Sequence, residues 1–243
     1  MNFKLATLAA ALIVATPAFA DTLNGPNPYA AGFGFDTPTE ASWGGWDRGD
    51  ANTLYAEWDT ISDATYGTSN DRTAAPTLGA SGASNTYLGW NSGTFVAGTG
   101  NLYNFSAAEI FQIKAEGGPT SGPVRAVLQT EGWGTDFDLA TIMLNGVAPT
   151  VSTVTFQDPA YNSSFGVVTL TQRLFYWDLA STPTSYTFGL ATAAPHMSFA
   201  QVAVDIAAAP VPEPETYAML LAGLGLVGWQ ARRRNKAAQA VAA

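Results

Sequence analysis

The chain has 243 residues, of which 47% are hydrophobic and 12% are charged; its net charge is −9 and it has no cysteine. Enough apolar surface is available for a core, so the composition excludes a disordered chain, and it also excludes disulfides and cysteine-based metal sites. Between Asp21 and Pro210, seventeen acidic residues outnumber five basic ones. Such a body repels phosphate backbones, so we do not expect nucleic acid as a partner.

The first twenty residues predict a secretory signal peptide. A lysine near the start and an apolar run over residues 5–14 precede Ala18 and Ala20, which have the A-x-A spacing of a cleavage site. We expect the Sec translocon and signal peptidase to act on residues 1–20. The mature chain would then begin at Asp21.

Alternation of apolar and polar residues in the second half of the body predicts half-buried β-strands. The strand segments are 109–117, 124–132, 152–157, 165–179 and 200–206. Segment 165–179 is long enough for one bent strand or two. The apolar residues expected to share a face within their strands are Phe111, Ile113 and Ala115, then Val154 and Phe156, and then Val202, Val204 and Ile206.

Turn signals separate these segments. Asn145-Gly146 is typical of a type I′ hairpin turn. Residues 66–87, rich in Gly, Ser, Thr and Ala, predict a long loop, with strands expected within 53–61 and 93–98. Short strands between turns, without a long amphipathic helix in the body, predict an all-β fold: a β-sandwich of jelly-roll type, followed by one C-terminal hydrophobic helix.

Sequence motifs for catalysis are missing. His196 is the single histidine, and there is no G-x-S-x-G motif, so we expect neither a serine-histidine triad nor a histidine-rich zinc site. We expect His196 to be an ordinary surface or edge residue, and the protein to be non-enzymatic. Glycoside hydrolysis needs only two carboxylates at the right separation, so a secreted polysaccharide hydrolase is the alternative.

Two short acidic clusters raise the question of calcium. They contain Asp47 and Asp50 in one segment, and Asp136 and Asp138 in another. Calcium takes six to eight oxygen ligands, and this spacing supplies only part of such a set. We expect solvated surface acids and no cofactor, with a structural calcium ion as the alternative.

Tryptophans provide the most suggestive binding residues. Six lie in the body, and Trp43 and Trp46 flank glycines in a polar segment that predicts a loop. Exposed indole faces stack on the apolar faces of sugar rings, and nearby polar side chains bond the hydroxyls, so the pair is a hypothetical glycan-binding site. The alternative is burial in the core, where aromatic rings contribute much of the buried area. We expect Trp58 and Trp177, within strand segments, to lie in the core.

The C-terminal tail has three parts. They are a proline-rich linker over 209–215 with Pro212, Glu213 and Pro214, an apolar segment over 216–231, and a basic end over 232–243 with Arg232, Arg233 and Arg234. A helix of about 16 residues spans about 24 Å, which is short of the roughly 30 Å of a bilayer core. The middle part is therefore a marginal transmembrane helix. The arginines favour a cytoplasmic C-terminus, which leaves the predicted sandwich domain over 21–208 outside.

This tail, together with the signal peptide, resembles the PEP-CTERM sorting signal. The resemblance implies cleavage near the Pro-Glu-Pro motif by an exosortase, a membrane-embedded cysteine protease. It also implies a membrane-held intermediate and a final place at the cell surface or in an exopolysaccharide or biofilm matrix. An ordinary anchor that is never cut is the alternative. We expect an exported β-sandwich that contacts the membrane only through its tail and associates with exopolysaccharide, either by binding glycans or as a structural component.

Overall fold

The computed structural model describes residues 24–61, 72–106, 108–210 and 220–227. These ranges are mostly β-structure and contain thirteen strands. The strands are β1 (Leu54–Trp58), β2 (Thr73–Ala74), β3 (Gly79–Ser81), β4 (Ala83–Trp90), β5 (Thr94–Val96), β6 (Leu102–Asn104), β7 (Ile110–Gly117), β8 (Val124–Gly134), β9 (Met143–Leu144), β10 (Val151–Ser163), β11 (Gly166–Leu179), β12 (Tyr186–Ala191) and β13 (Met197–Ala208).

Two antiparallel sheets pack as a sandwich, which confirms the predicted fold class. The larger sheet has the strand order β10-β11-β8-β13-β1-β3, with β6 and β5 added beside β13. The smaller sheet has the order β2-β4-β7-β12-β9. This strand order does not confirm the finer expectation of a jelly-roll connection.

The core lies between the sheets and follows the predicted alternation. Its members include Phe111, Ile113 and Ala115 of the smaller sheet, and Val202, Val204 and Ile206 of the larger one. Trp58 and Trp177 are also buried there, as predicted. Their indole N–H groups donate to the carbonyl oxygens of Ala74 and Val147, at 2.9 Å each, so these polar atoms are satisfied inside the core.

The outer face of the larger sheet is covered by the segment that precedes β1. The N–H of Gly34 donates to Oε1 of Gln172 at 2.6 Å, and Gln129 exchanges two bonds of 2.9 Å with the main chain of Asp36. We call residues 24–53 the strap. The polar side chains Gln129 and Gln172 point away from the core, where a strand face is normally open to solvent. They are buried because the strap covers them and bonds to them.

Two expectations about the strands are wrong. Residues 66–87 do not form one long loop: β2, β3 and the first part of β4 lie in the described part of that stretch. Small side chains do not prevent pairing there, because β3 pairs with β1 and β4 pairs with β7. Val154 does not share a half-buried face with Phe156: it is 42% exposed, whereas Phe156 is partly buried, and the register of β10 with β11 shifts between the two residues.

Other local expectations are confirmed. Asn145 and Gly146 have φ values of 50° and 80°, as a type I′ turn requires. Leu144 and Val147 exchange two main-chain hydrogen bonds of 2.9 Å around them. Segment 165–179 contains one long strand, β11, and segments 53–61 and 93–98 contain β1 and β5.

The tail is described only over a helix at 220–227. Leu220, Leu221 and Leu224 in this helix are exposed. Within the described ranges, no helix has both the length and the apolar character needed to cross a membrane. The remainder of the predicted helix at 216–231 lies outside the described residues. So do the signal peptide with Ala18 and Ala20, and the motif residues Pro212, Glu213, Pro214, Arg232, Arg233 and Arg234.

Candidate functional site

A groove of about 470 Å³ crosses the outer face of the smaller sheet. We call it the sheet groove. Residues of β4, β7 and the chain before β2 line it, and they include Arg72, Tyr87, Gly89, Asn91, Ile110 and Gln112. Polar side chains, Ile110 and the aromatic residues Tyr87 and Trp90 therefore surround a concave surface.

Gly89 and Gln112 of the groove lining stand side by side in the sheet. In the strand register, Gly89 of β4 and Gly189 of β12 both stand opposite Gln112 of β7. Leu88, Phe188 and Ile113 form the adjacent row and point into the core, so the glycine row belongs to the outer face. The exposed Gln112 has open space on the side of Gly189, whereas on the other side the Tyr87 ring and the main chain of Arg72 border Gly89.

Tyr87 borders this row. An atom placed as a β-carbon on Gly89 would lie 3.6 Å from Cε2 of Tyr87, so the phenol ring lies against the glycine. Tyr87 of β4 pairs with Lys114 of β7, and Lys114 pairs on its other side with Thr187 of β12. An aromatic ring beside amide side chains can combine apolar stacking with hydrogen bonds.

The predicted tryptophan pair is only partly accessible. Trp43 is buried at 5% exposure, lies edge-on to Trp46 with 5.8 Å between ring centroids, and its carbonyl oxygen accepts a bond from Arg125. Trp46 is half-buried and lines a second groove of about 440 Å³ with Asp50 and Asn52. The structure therefore places Trp43 as an anchor of the strap and leaves Trp46 beside a space that a ligand can reach.

The acidic clusters are engaged locally. Asp50 accepts a bond from the N–H of Asp47 at 3.0 Å, Asp136 forms an ion pair with Arg173 at 2.5 Å, and Asp138 accepts from the N–H of Ala140. In the part of the chain that the structure describes, no three histidine or acidic side chains group in a way that could hold a metal ion. These contacts lend no support to a structural calcium ion.

His196 is exposed and directly precedes β13, which agrees with a surface position. Its Nδ1 lies 2.7 Å from the hydroxyl of Tyr103. The ring of Tyr103 also stacks on the exposed Phe165, with centroids 5.7 Å apart. This aromatic cluster could not be predicted from the sequence, because its members come from distant segments.

One carboxyl group has a strongly altered environment. Burial raises the pKa of Glu131 to about 8, although a bond of 2.5 Å from Nε2 of Gln172 acts in the opposite direction. Its Oε1 has no hydrogen-bond partner among the described residues, and it lies directly beneath Gly25 of the strap. The strap therefore separates this carboxyl group from solvent.

The comparison with known protein families concerns the C-terminal tail. A family model of the PEP-CTERM protein-sorting motif matches residues 210–234. The chain carries a PEP-CTERM sorting motif. It is therefore an exosortase substrate, and PEP-CTERM sorting implies export and sorting to the cell surface. No curated protein and no solved structure matches this PEP-CTERM chain.

Proposed function

We propose that this PEP-CTERM protein is a non-enzymatic, glycan-binding component of the extracellular polysaccharide matrix, and that the sheet groove is its binding site. The observation that carries the proposal is the lining of this groove, in which Tyr87, Asn91 and Gln112 surround a concave surface on β4 and β7 beside Gly89. A polysaccharide is an extended ligand, so it fits an open groove on a rigid sheet better than a closed cavity.

The lining chemistry suits sugars. The ring of Tyr87 offers an apolar surface for the C–H face of a pyranose, while Asn91 and Gln112 can both donate to and accept from hydroxyls. The groove rests on paired strands rather than on long loops, so the protein orders few groups when it binds. Export by the sorting motif brings this surface to the compartment where polysaccharide is found.

Affinity electrophoresis of the full chain through gels that contain the producer's own matrix polysaccharide tests the proposal. We expect retardation of the wild-type chain and loss of retardation in Tyr87→Ala and Gln112→Ala. Thr187→Ala changes the same sheet face outside the groove and is the matched control, which should be retarded like the wild type. A parallel Trp46→Ala variant measures how much the second groove contributes to polysaccharide binding.

Unchanged mobility of the wild-type chain in these gels would contradict glycan binding and would leave a purely structural role. Release of reducing ends from the same polysaccharide, abolished by replacing one particular carboxylate, would instead support the hydrolase alternative.

A further inference from the structure

Most basic side chains of the body form ion pairs with acidic side chains, and one lines the sheet groove instead. Four of the five basic residues from 21 to 210 have carboxylate partners within 3.3 Å. The pairs are Arg48 with Asp205 and Glu57, Lys114 with Glu116, Arg125 with Asp178, and Arg173 with Asp136. Their charges are compensated within the protein.

Arg72 is the exception among the residues that the structure describes. It lines the sheet groove, its side chain forms no ion pair with another described residue, and it is half-buried. Glu109, which precedes β7, is 7% exposed and packs beside Gly93 rather than in the groove lining. The charge contributed by the described groove residues is therefore positive.

This location matters because the rest of the body is acidic. Seventeen acidic residues against five basic ones repel an anionic polymer from most of the surface. A guanidinium that no other described residue neutralises provides a local attraction in the groove, and its planar fork matches a carboxylate with two parallel hydrogen bonds.

We infer that the sheet groove recognises a carboxylate-bearing polysaccharide, a polyuronate, through Arg72. The inference rests on the proposed function and adds the ligand class. Arg72 binds the uronate carboxylate, while Gln112 and Asn91 bond hydroxyls of the same or neighbouring rings. A neutral polysaccharide of the same backbone leaves the guanidinium without its anionic partner and binds more weakly.

The experiment compares polygalacturonate with its fully methyl-esterified form, because the two polymers share a backbone and differ in carboxylate charge. Affinity electrophoresis of the full chain should show at least about tenfold tighter binding to the free acid, as expected for hydrogen bonds to a charged group. Arg72→Ala should remove this preference, and Arg72→Lys should keep part of it because the charge stays. Arg173→Gln removes one cation far from the groove and should keep the whole preference.

Circular dichroism of each variant checks that the fold is intact. Equal retardation by both polymers, retardation by neither, or a preference that survives Arg72→Ala would overturn the inference. The proposed function fails separately, when Tyr87→Ala and Gln112→Ala migrate like the wild type in gels of the producer's polysaccharide. If Tyr87→Ala and Gln112→Ala lose binding while Arg72→Ala keeps both its binding and its preference for the free acid, the proposed glycan binding stands and recognition of a carboxylate by Arg72 is rejected.

Discussion

Arg48 and Asp205 form a two-pronged ion pair on the outer face of the larger sheet. Nε of Arg48 lies 2.8 Å from Oδ1 of Asp205, and Nη2 lies 2.7 Å from Oδ2. The same guanidinium reaches Glu57 at 3.3 Å and lies 4.0 Å from the centre of the Tyr55 ring. One side chain of the strap thus neutralises two buried carboxylates that belong to neighbouring strands.

Replacing Arg48 by Met should destabilise the protein strongly. The substitution leaves Asp205 and Glu57 buried without a cation, and removing one partner of a buried pair costs about 3–5 kcal/mol in the free energy of unfolding. Urea unfolding at neutral pH measures the loss. Lys114→Gln breaks the solvent-accessible, partly exposed pair with Glu116 and is the control, for which we expect little change. Similar small effects of both substitutions would show that the strap does not depend on this pair.

Glu131 should make stability depend on pH. Burial raises the pKa of Glu131 from its ordinary 4.5 to about 8, so between these values the folded chain keeps a proton that the unfolded chain has lost. The free energy of unfolding must therefore fall as the pH rises from about 4.5 to about 8, by a few kcal/mol at most. Denaturant unfolding at pH 5, 6.5 and 8 measures this slope.

Glu131→Gln isolates that contribution from other titrating groups. The amide keeps an oxygen that can accept the bond from Gln172 and does not ionise. The variant should lose stability less steeply over the same pH window and should gain relative to the wild type at pH 8. Parallel curves for the two proteins would mean that Glu131 is ionised in the folded state well below pH 8.

The fold class could be predicted from the sequence because burial of one strand face imposes a period of two. In β7 this period separates Phe111 and Ile113 from Gln112 without any knowledge of partners. The strap could not be predicted in the same way. It follows no regular period, so nothing in the sequence shows that Asp205, on the polar side of its strand, meets Arg48 instead of water.

The sheet groove was hidden from sequence reasoning for a different reason. Gly89 and Gln112 of its lining become neighbours only when the register of β4 with β7 is known. Tyr87 also lies in the stretch that the composition assigned to a loop. The tail is the opposite case, since its signal is contiguous and needs no tertiary contact to be recognised.

Two glycines with open surroundings should respond in opposite directions to alanine. Gly146 has a φ of 80° in the hairpin turn, whereas Gly189 lies in β12 outside the left-handed region, and neither has atoms near a built β-carbon. Gly146→Ala should cost about 1 kcal/mol because alanine is strained at positive φ. Gly189→Ala should be neutral or stabilising because it restricts the unfolded chain. Thermal unfolding compares them, and equal losses would contradict the assigned turn.

Exosortase processing should depend on the Pro-Glu-Pro motif rather than on the body. In the exported wild-type protein, intact mass spectrometry should find a chain that ends near Pro214 and lacks Arg232, Arg233 and Arg234. Glu213→Ala should retain the basic end and stay with the membrane fraction, because the protease no longer recognises its motif. Glu57→Gln is the control, because it changes a glutamate in the sandwich and not in the motif. The folded variant should be processed like the wild type. Recovery of wild-type chains that run through Ala243 at the cell surface would show that sorting proceeds without cleavage, and the tail would then act as a simple anchor.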